Sequence, residues 1–351
     1  MADSAALEEL VRSVPLFQLV GAPQMPEILR LLHPEKLVPG QVLFREGQPG
    51  AAMWVLGQGT EVSLSARSEA VGRPVVVAHL KAGETIGDMA LVDEGPRSAT
   101  ATVLKGGEAH RIDAADFREL REAHHPAAFR VLRKMCIDLC SRLRATSDRI
   151  APQGEQLLAS TVLRAVPLPT PDLLDAYGPF RGLPQVVKLA LAQKLSLVQT
   201  TGPEVVFSEG DRGDAAYFVI DGQVDVIRGG KTLATMGPGA MFGMVALIDS
   251  GGRAATCSTQ GKARLLRLGA AEFEALFAAG HRFSHDIVNL VARQLVQHLR
   301  VANRLLPTSG QEEAELPPPE QAEAEEEESE EVVDQLPLDQ ELEMILLSQD
   351  S

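Results

Sequence analysis

Gly83-Glu84-Thr85-Ile86-Gly87-Asp88-Met89-Ala90-Leu91, then Pro96-Arg97-Ser98-Ala99-Thr100-Ala101 after a short gap, combines two chemical features in one segment. Small residues at 87 and 90 let the backbone come close to a bound group. Asp88 to Leu91 has the length of one helical turn, whose N–H groups can face an anion. Arg97 returns on the following strand, where a planar guanidinium can hold the same anion in a bidentate pair. A barrel enclosing such a nest has the makings of a phosphate-ester pocket.

Outward from this segment the chain repeats itself. Phe17 precedes Phe44-Arg45-Glu46-Gly47 by 27 residues, and Phe180 precedes Phe207-Ser208-Glu209-Gly210 by 27 residues, an offset of 163. Gly87-Asp88-Met89-Ala90-Leu91 through Arg97 returns as Gly243-Met244-Val245-Ala246-Leu247 through Arg253, at an offset of 156. Seven residues lost from a hairpin loop explain the change: Ala66 to Gly72 in the first copy stands against Gly229-Gly230 in the second. In each copy a helical segment (Glu27 to Leu32; Val186 to Leu197) leads into short runs rich in Val, Phe, Tyr and Thr. Glycines punctuate these runs, with Trp54-Val55-Leu56 and Tyr217-Phe218-Val219-Ile220 the strongest strands. Many short strands with Gly turns indicate a jelly roll or β-roll. Each copy then ends in an amphipathic helix, Phe129 to Arg144 and His285 to Leu306, and these two long helices could pair.

The fold class expected is mainly β with flanking helices: two tandem jelly-roll or β-roll domains and a disordered acidic C-terminal tail. The first domain takes residues 1–150 with its C-terminal helix, a proline-marked linker takes 151–175, the second domain 176–306 and the tail 307–351. The net charge of -15 belongs to that tail, since residues 311–351 hold 16 Asp/Glu and no Lys/Arg; the other 310 residues sum to +1. Such a segment cannot bury enough apolar surface to fold alone. The nearly neutral remainder offers no broad basic face for nucleic acid. No apolar run is long enough to span a bilayer, the N-terminus lacks a secretory pattern, and three cysteines do not make a disulfide framework. A cytoplasmic location is expected.

Residues 83–101 resemble the phosphate-binding cassette of cyclic-nucleotide-binding domains, which reads Phe-Gly-Glu-x-Ala-Leu, a gap, then Pro-Arg-x-Ala. The resemblance covers nearly all of residues 15–145 and 178–306, and is to catabolite-activator-type regulators and protein kinase A regulatory subunits. It implies a site in the first domain made by Gly87, Asp88, Met89, Ala90, Leu91, Arg97 and Ser98. Arg97 and Ser98, with the amides near Ala90 and Leu91, would hold the cyclic phosphate. Gly87 and Asp88 would face the ribose hydroxyl, Asp88 being one methylene shorter than the family's Glu. In the second domain Gly243, Ala246, Leu247, Arg253 and Ala254 remain, but Met244 takes the carboxylate position and Gly252 the proline position. That site is expected to be weak, empty or adapted to another anion.

The expected function is a cyclic nucleotide-binding regulatory protein for signal transduction, sensing cAMP or cGMP mainly in domain 1 and acting on a protein partner. A kinase or other signalling protein fits, and no metal is required. The alternative is a ligand-independent scaffold with two degenerate barrels. Either could use residues 336–351, where Leu338, Leu342, Ile345 and Leu346 form an apolar stripe. No catalytic motif or His-x-His metal set is present, so an enzyme is not expected. Pro307-Thr308-Ser309-Gly310 and acid follow the last helix where a DNA-reading helix would stand, so DNA binding is not expected. Nor is pseudosubstrate inhibition, since no Arg-Arg-x-Ser/Ala precedes residue 15. Cys136 and Cys140 read as core residues, His281 and His285 as surface or capping groups, and His124-His125 as the approach to a helix.

Overall fold

The computed structural model describes residues 2–67, 73–151, 164–166, 174–175, 177–181, 183–278, 280 and 282–305. These lie within one compact unit, Met1–Glu312. The expectations for the acidic tail and for His281 lie outside the described residues.

The first copy opens with helices α1 (Ala2–Ser13) and α2 (Met25–Arg30). Strands β1 (His33–Leu37), β2 (Val42–Phe44), β3 (Ala52–Leu56), β4 (Glu61–Arg67), β5 (Pro74–Lys81), β6 (Thr85–Ile86), β7 (Thr100–Lys105) and β8 (Gly107–Asp113) follow. They form two antiparallel sheets ordered β1-β8-β3-β6 and β2-β7-β4-β5. Helices α3 (Ala114–Glu122) and α4 (Pro126–Ile150) close the copy. The linker then supplies an edge strand, β9 (Arg164–Val166), which pairs with β10 (Leu195–Thr200) of the second copy. Helix α5 (Gln185–Ala192) comes between them in sequence. After β10 come β11 (Val205–Phe207), β12 (Ala215–Asp221), β13 (Val224–Arg228), β14 (Lys231–Met236), β15 (Met241–Phe242), the short helix α6 (Val245–Ile248), β16 (Thr256–Thr259) and β17 (Ala263–Gly269). The sheets of this copy run β15-β12-β17-β10-β9 and β11-β16-β13-β14. Helices α7 (Ala270–Ala278) and α8 (Arg282–Arg304) end it.

The helix boundaries differ from the sequence reading. The first helical segment is Met25–Arg30, not Glu27 to Leu32, and α5 stops at Ala192, not Leu197. In Leu195-Ser196-Leu197-Val198-Gln199-Thr200 the leucines are two apart, the period of a strand, and the segment pairs with β17. Helix α4 is fuller than read, starting at Pro126 as its N1 residue, with His125 Nδ1 accepting from the Ala127 N–H (3.2 Å), while α8 starts earlier, at Arg282, and stops at Arg304, not Leu306. The deleted hairpin is as expected in the second copy, where Gly229 (φ +53°) and Gly230 (φ +73°) make a two-residue turn that only glycine adopts without strain.

Period-2 alternation explains how one strand serves two cores. In β3, Ala52, Trp54 and Leu56 face the barrel interior with Phe44, Ile86 and Val103, whereas Met53 and Val55 face the helices. In β12, Ala215, Tyr217 and Val219 fill the second barrel, and Ala216, Phe218 and Ile220 face the helices. Thus β3 and β12 are apolar on both sides. Each large side chain so buried contributes about 1.5–3 kcal/mol.

The helices of both copies share a single core. Leu132, Met135, Cys136 and Leu139 of α4 pack with Ile287, Val288, Val291 and Leu295 of α8. The two helices run the same way. Phe129 meets His285 near their starts (ring centroids 4.9 Å), and Leu143 and Ser147 line a cavity with Val301 and Ala302 near their ends. His285 is therefore an interface residue, correcting its reading as a surface group; burial, then His124, push its pKa down. Cys136, Cys140 and Cys257 are buried thiols, and burial raises the pKa of all three, Cys257 to about 12.

Candidate ligand site

Each cassette begins at a glycine that leaves β6 or β15 with positive φ, +76° at Gly87 and +81° at Gly243. A Cβ at Gly87 would lie 2.6 Å from Arg97 Nη1, and one at Gly243 2.8 Å from Arg253 Nη1. Conformation and crowding both demand glycine. Asp88–Leu91 forms the expected single turn, of 3-10 type, with Asp88, Ala90 and Leu91 buried and Met89 packed against the helical core. In the second copy the equivalent turn is α6. Ser98 follows Arg97 in the bend before β7, half-buried.

The two arginines sit alike. Arg97 Nη1 donates to the Gly87 carbonyl (3.0 Å) and Nη2 to the Ala52 carbonyl (2.6 Å), and the guanidinium lies 4.1 Å over the Phe44 ring. Arg253 Nη1 donates to the carbonyls of Gly243 (2.7 Å) and Ala215 (2.8 Å), and its guanidinium lies 3.9 Å over Phe207. Both are buried, and the Nε of each has no partner among the described residues. Burial lowers the Arg97 pKa to about 10, opposed by nearby Asp88, so it remains a cation at neutral pH with its Nε–H in reserve. Arg253 has one further partner: its Nη2 donates to Asp214 (2.6 Å), a residue replaced by Ala51 in the first copy.

The carboxylate position separates the copies. Asp88 is held by Arg142 of α4, with Nη2 to Oδ2 at 2.7 Å and Nη1 to Oδ1 at 3.2 Å, while Oδ1 also accepts from the Met89 N–H (2.9 Å). Asp88 in turn pushes the Arg142 pKa up. At the repeat offset of 156 the pair Asp88 and Arg142 becomes Met244 and His298. Met244 is fully buried, and burial lowers the His298 pKa to about 4, leaving a neutral ring. An ion pair in one copy is thus an uncharged pair in the other.

Sequence reading did not single out the residues that join the copies. Arg144 of α4 reaches Asp249, just after α6, through Nε and through Nη2 (2.9 Å), and donates to the Gly252 carbonyl (2.7 Å). Reciprocally, Arg300 of α8 makes a bidentate pair with Asp93 in the first cassette, at 2.7 Å twice. Asp93 and Asp249, like Arg144 and Arg300, are separated by 156. That register was the available signal. Asp148, near the end of α4, also pairs with Arg228, whose Nη1 donates to the carbonyl of Ala254 beside Arg253 (2.8 Å). Helix α4 is therefore held by both cassettes. Away from them, ligand atoms of His33, Asp113 and Asp116 come within 4.8 Å of one another on the surface. Asp113 there accepts from Arg111, and His33 lies 3.6 Å from Asp116, so the group is an ion-pair cluster.

Residues 34–124 and 200–279 match the family described as the cyclic nucleotide-binding domain. Over 122 residues the chain is 36% identical to the cyclic AMP receptor protein of Thermus thermophilus, covering 33% of this chain and 56% of that protein. Over 130 residues it is 32% identical to a cyclic nucleotide-gated potassium channel of Rhizobium etli, 37% of this chain and 34% of that one. Over 275 residues it is 24% identical to the cAMP-dependent protein kinase regulatory subunit of Yarrowia lipolytica, 77% of this chain and 61% of that one. The matches thus span about a third to three fifths of these relatives. The solved regulatory domain of Toxoplasma gondii PKA with cAMP is 19% identical, with 80% of this chain and 94% of that chain covered at a TM-score of 0.32.

Proposed function

Both halves of this chain are domains of the cyclic nucleotide-binding family, and from that premise we propose that the protein is a cytoplasmic regulator that senses a cyclic nucleotide in its first domain. The observation that carries this reading is the Asp88–Arg142 pair, which ties the cassette directly to α4. A cyclic phosphate seated on the turn Asp88–Leu91 takes the reserve Nε–H of Arg97, assisted by Ser98. A ribose hydroxyl takes the carboxylate of Asp88, in competition with Arg142. Ligand binding then loosens the hold of the first cassette on α4 and shifts the population toward a state in which the helix presents itself to a protein partner. The relatives named for cAMP favour cAMP over cGMP as ligand. The kinase regulatory relative favours a signalling protein, reached through residues 336–351, as partner. This is a binding role and not a catalytic one. No helix among the described residues is long and apolar enough to cross a membrane.

Isothermal calorimetry with cAMP and cGMP on the full chain tests it. A charged hydrogen bond is worth about 1.5–3 kcal/mol, so Arg97→Ala should weaken binding roughly ten- to a hundredfold. Absence of heat in the wild type would instead support the ligand-independent scaffold.

A further inference from the structure

The second barrel opens into a cavity of about 640 Å³ between its cassette and the ends of α4 and α8. That is room for a small organic molecule. Its walls are mostly apolar, including Phe207, Val226, Phe242 and Met244 from the barrel and Leu143 and Val301 from the helices. Among the described residues that line it, Arg253 is the one cation at neutral pH, and no carboxylate lines it. Arg253 keeps an unpartnered Nε while 1% exposed. Behind it Asp214 pairs with both Arg253 and Arg267, so the three groups sum to one net positive charge.

The occupant follows from this arrangement. A buried cation facing an apolar cavity is poorly matched by water and well matched by one anionic group on an apolar body. A ribonucleotide fits badly, since Met244 and neutral His298 stand where Asp88 and Arg142 hold the first site's charges. Leaving a ribose hydroxyl unpaired there lowers affinity roughly ten- to a hundredfold.

We infer that the second barrel is a binding site for a singly charged organic anion with an apolar body, distinct in chemistry from the first. The inference rests on the reading of the cassette arginines as anion anchors, but not on what the first barrel binds. Its position gives such a ligand access to α4 as well, through Leu143 and Ser147.

Calorimetry on the full chain with 2-naphthoate as probe tests it. Acetate serves as the anion without an apolar body, 2-naphthalenemethanol as the body without charge, and cAMP as the reporter of the first site. Binding of 2-naphthoate at one site, unchanged in Arg97→Ala and weakened at least tenfold in Arg253→Ala, is the expected result. Because Arg253 is buried and its removal can unfold the barrel, Val301→Trp, at a half-exposed position on the cavity wall, is the second variant. It should abolish naphthoate binding while leaving the cAMP heat intact. Acetate and the alcohol should each bind at least tenfold more weakly than naphthoate. No naphthoate binding, its loss in Arg97→Ala, or equal binding of acetate overturns the inference, as does a cAMP heat removed by Val301→Trp. Loss of the cAMP heat in the wild type alone strikes the first-site reading and leaves this one standing.

Discussion

At the residue scale, the two copies are nearly the same device with one pair exchanged. Arg97 and Arg253 rest on equivalent carbonyls, Gly87 with Ala52 and Gly243 with Ala215, and over equivalent rings, Phe44 and Phe207. The exchange of Asp88 and Arg142 for Met244 and His298 has a pH signature. His298 has its pKa lowered by burial from 6.5 to about 4, so between these values the unfolded chain binds more protons than the folded one. Its stabilising effect is complete above pH 6.5 and is lost as the pH falls toward 4. Thermal unfolding of His298→Gln between pH 7 and 4.5 should show a shallower fall in Tm than the wild type; parallel curves would mean that His298 is not held neutral. Gly87 and Arg97 were legible in the sequence as cassette residues from spacing and residue type, but Arg97 stands just before β7 and not on it, and its bond to the Gly87 carbonyl was not read. That Asp88 is already engaged was not, since Arg142 lies 54 residues away and only packing brings α4 to the cassette.

At the scale of elements, α4 is the part through which a ligand would act. Its residues 142 and 144 point to different cassettes, Arg142 to Asp88 and Arg144 to Asp249. Replacing Arg142 by Ala removes the competitor for Asp88. Affinity for cyclic nucleotide should then rise about threefold to tenfold, corresponding to the 0.5–1.5 kcal/mol of a typical net hydrogen bond, as read by calorimetry. A fall in affinity would show that Arg142 contacts the ligand itself. The strands were largely readable from alternation and glycine turns. Two elements were not. Leu195 is four residues from Leu191 and two from Leu197, so it continues a helical stripe and opens a strand alternation alike, and the pairing with β17 decides between them. β9 sits just before Pro167 in a segment read as pure linker, and an edge strand tolerates a proline at its border.

For the whole described molecule, the duplication yields reciprocity. The helix of each copy clamps the cassette of the other, Arg144 on Asp249 and Arg300 on Asp93, with all four side chains partly buried. On the proposed reading, occupation of one site would be felt at the other, and by linkage the effect would be mutual. The double variant Arg144→Ala/Arg300→Ala should lose about 1–3 kcal/mol of stability in urea unfolding, since each change leaves a partly buried carboxylate without its partner. A loss below about 0.5 kcal/mol would show that the clamps are incidental. Both pairs were present in the sequence at the cassette's own offset, but charge pairs gain meaning only once α4 and α8 are known to lie together.

On the proposed reading, ligand at the first cassette controls α4. Amide hydrogen exchange across residues 126–150, with and without saturating cAMP, measures it directly. Altered exchange is expected in the last turns of α4, around Arg142 to Ser147, in the wild type and none in Arg97→Ala. Unchanged exchange there in wild-type protein carrying bound cAMP would contradict it.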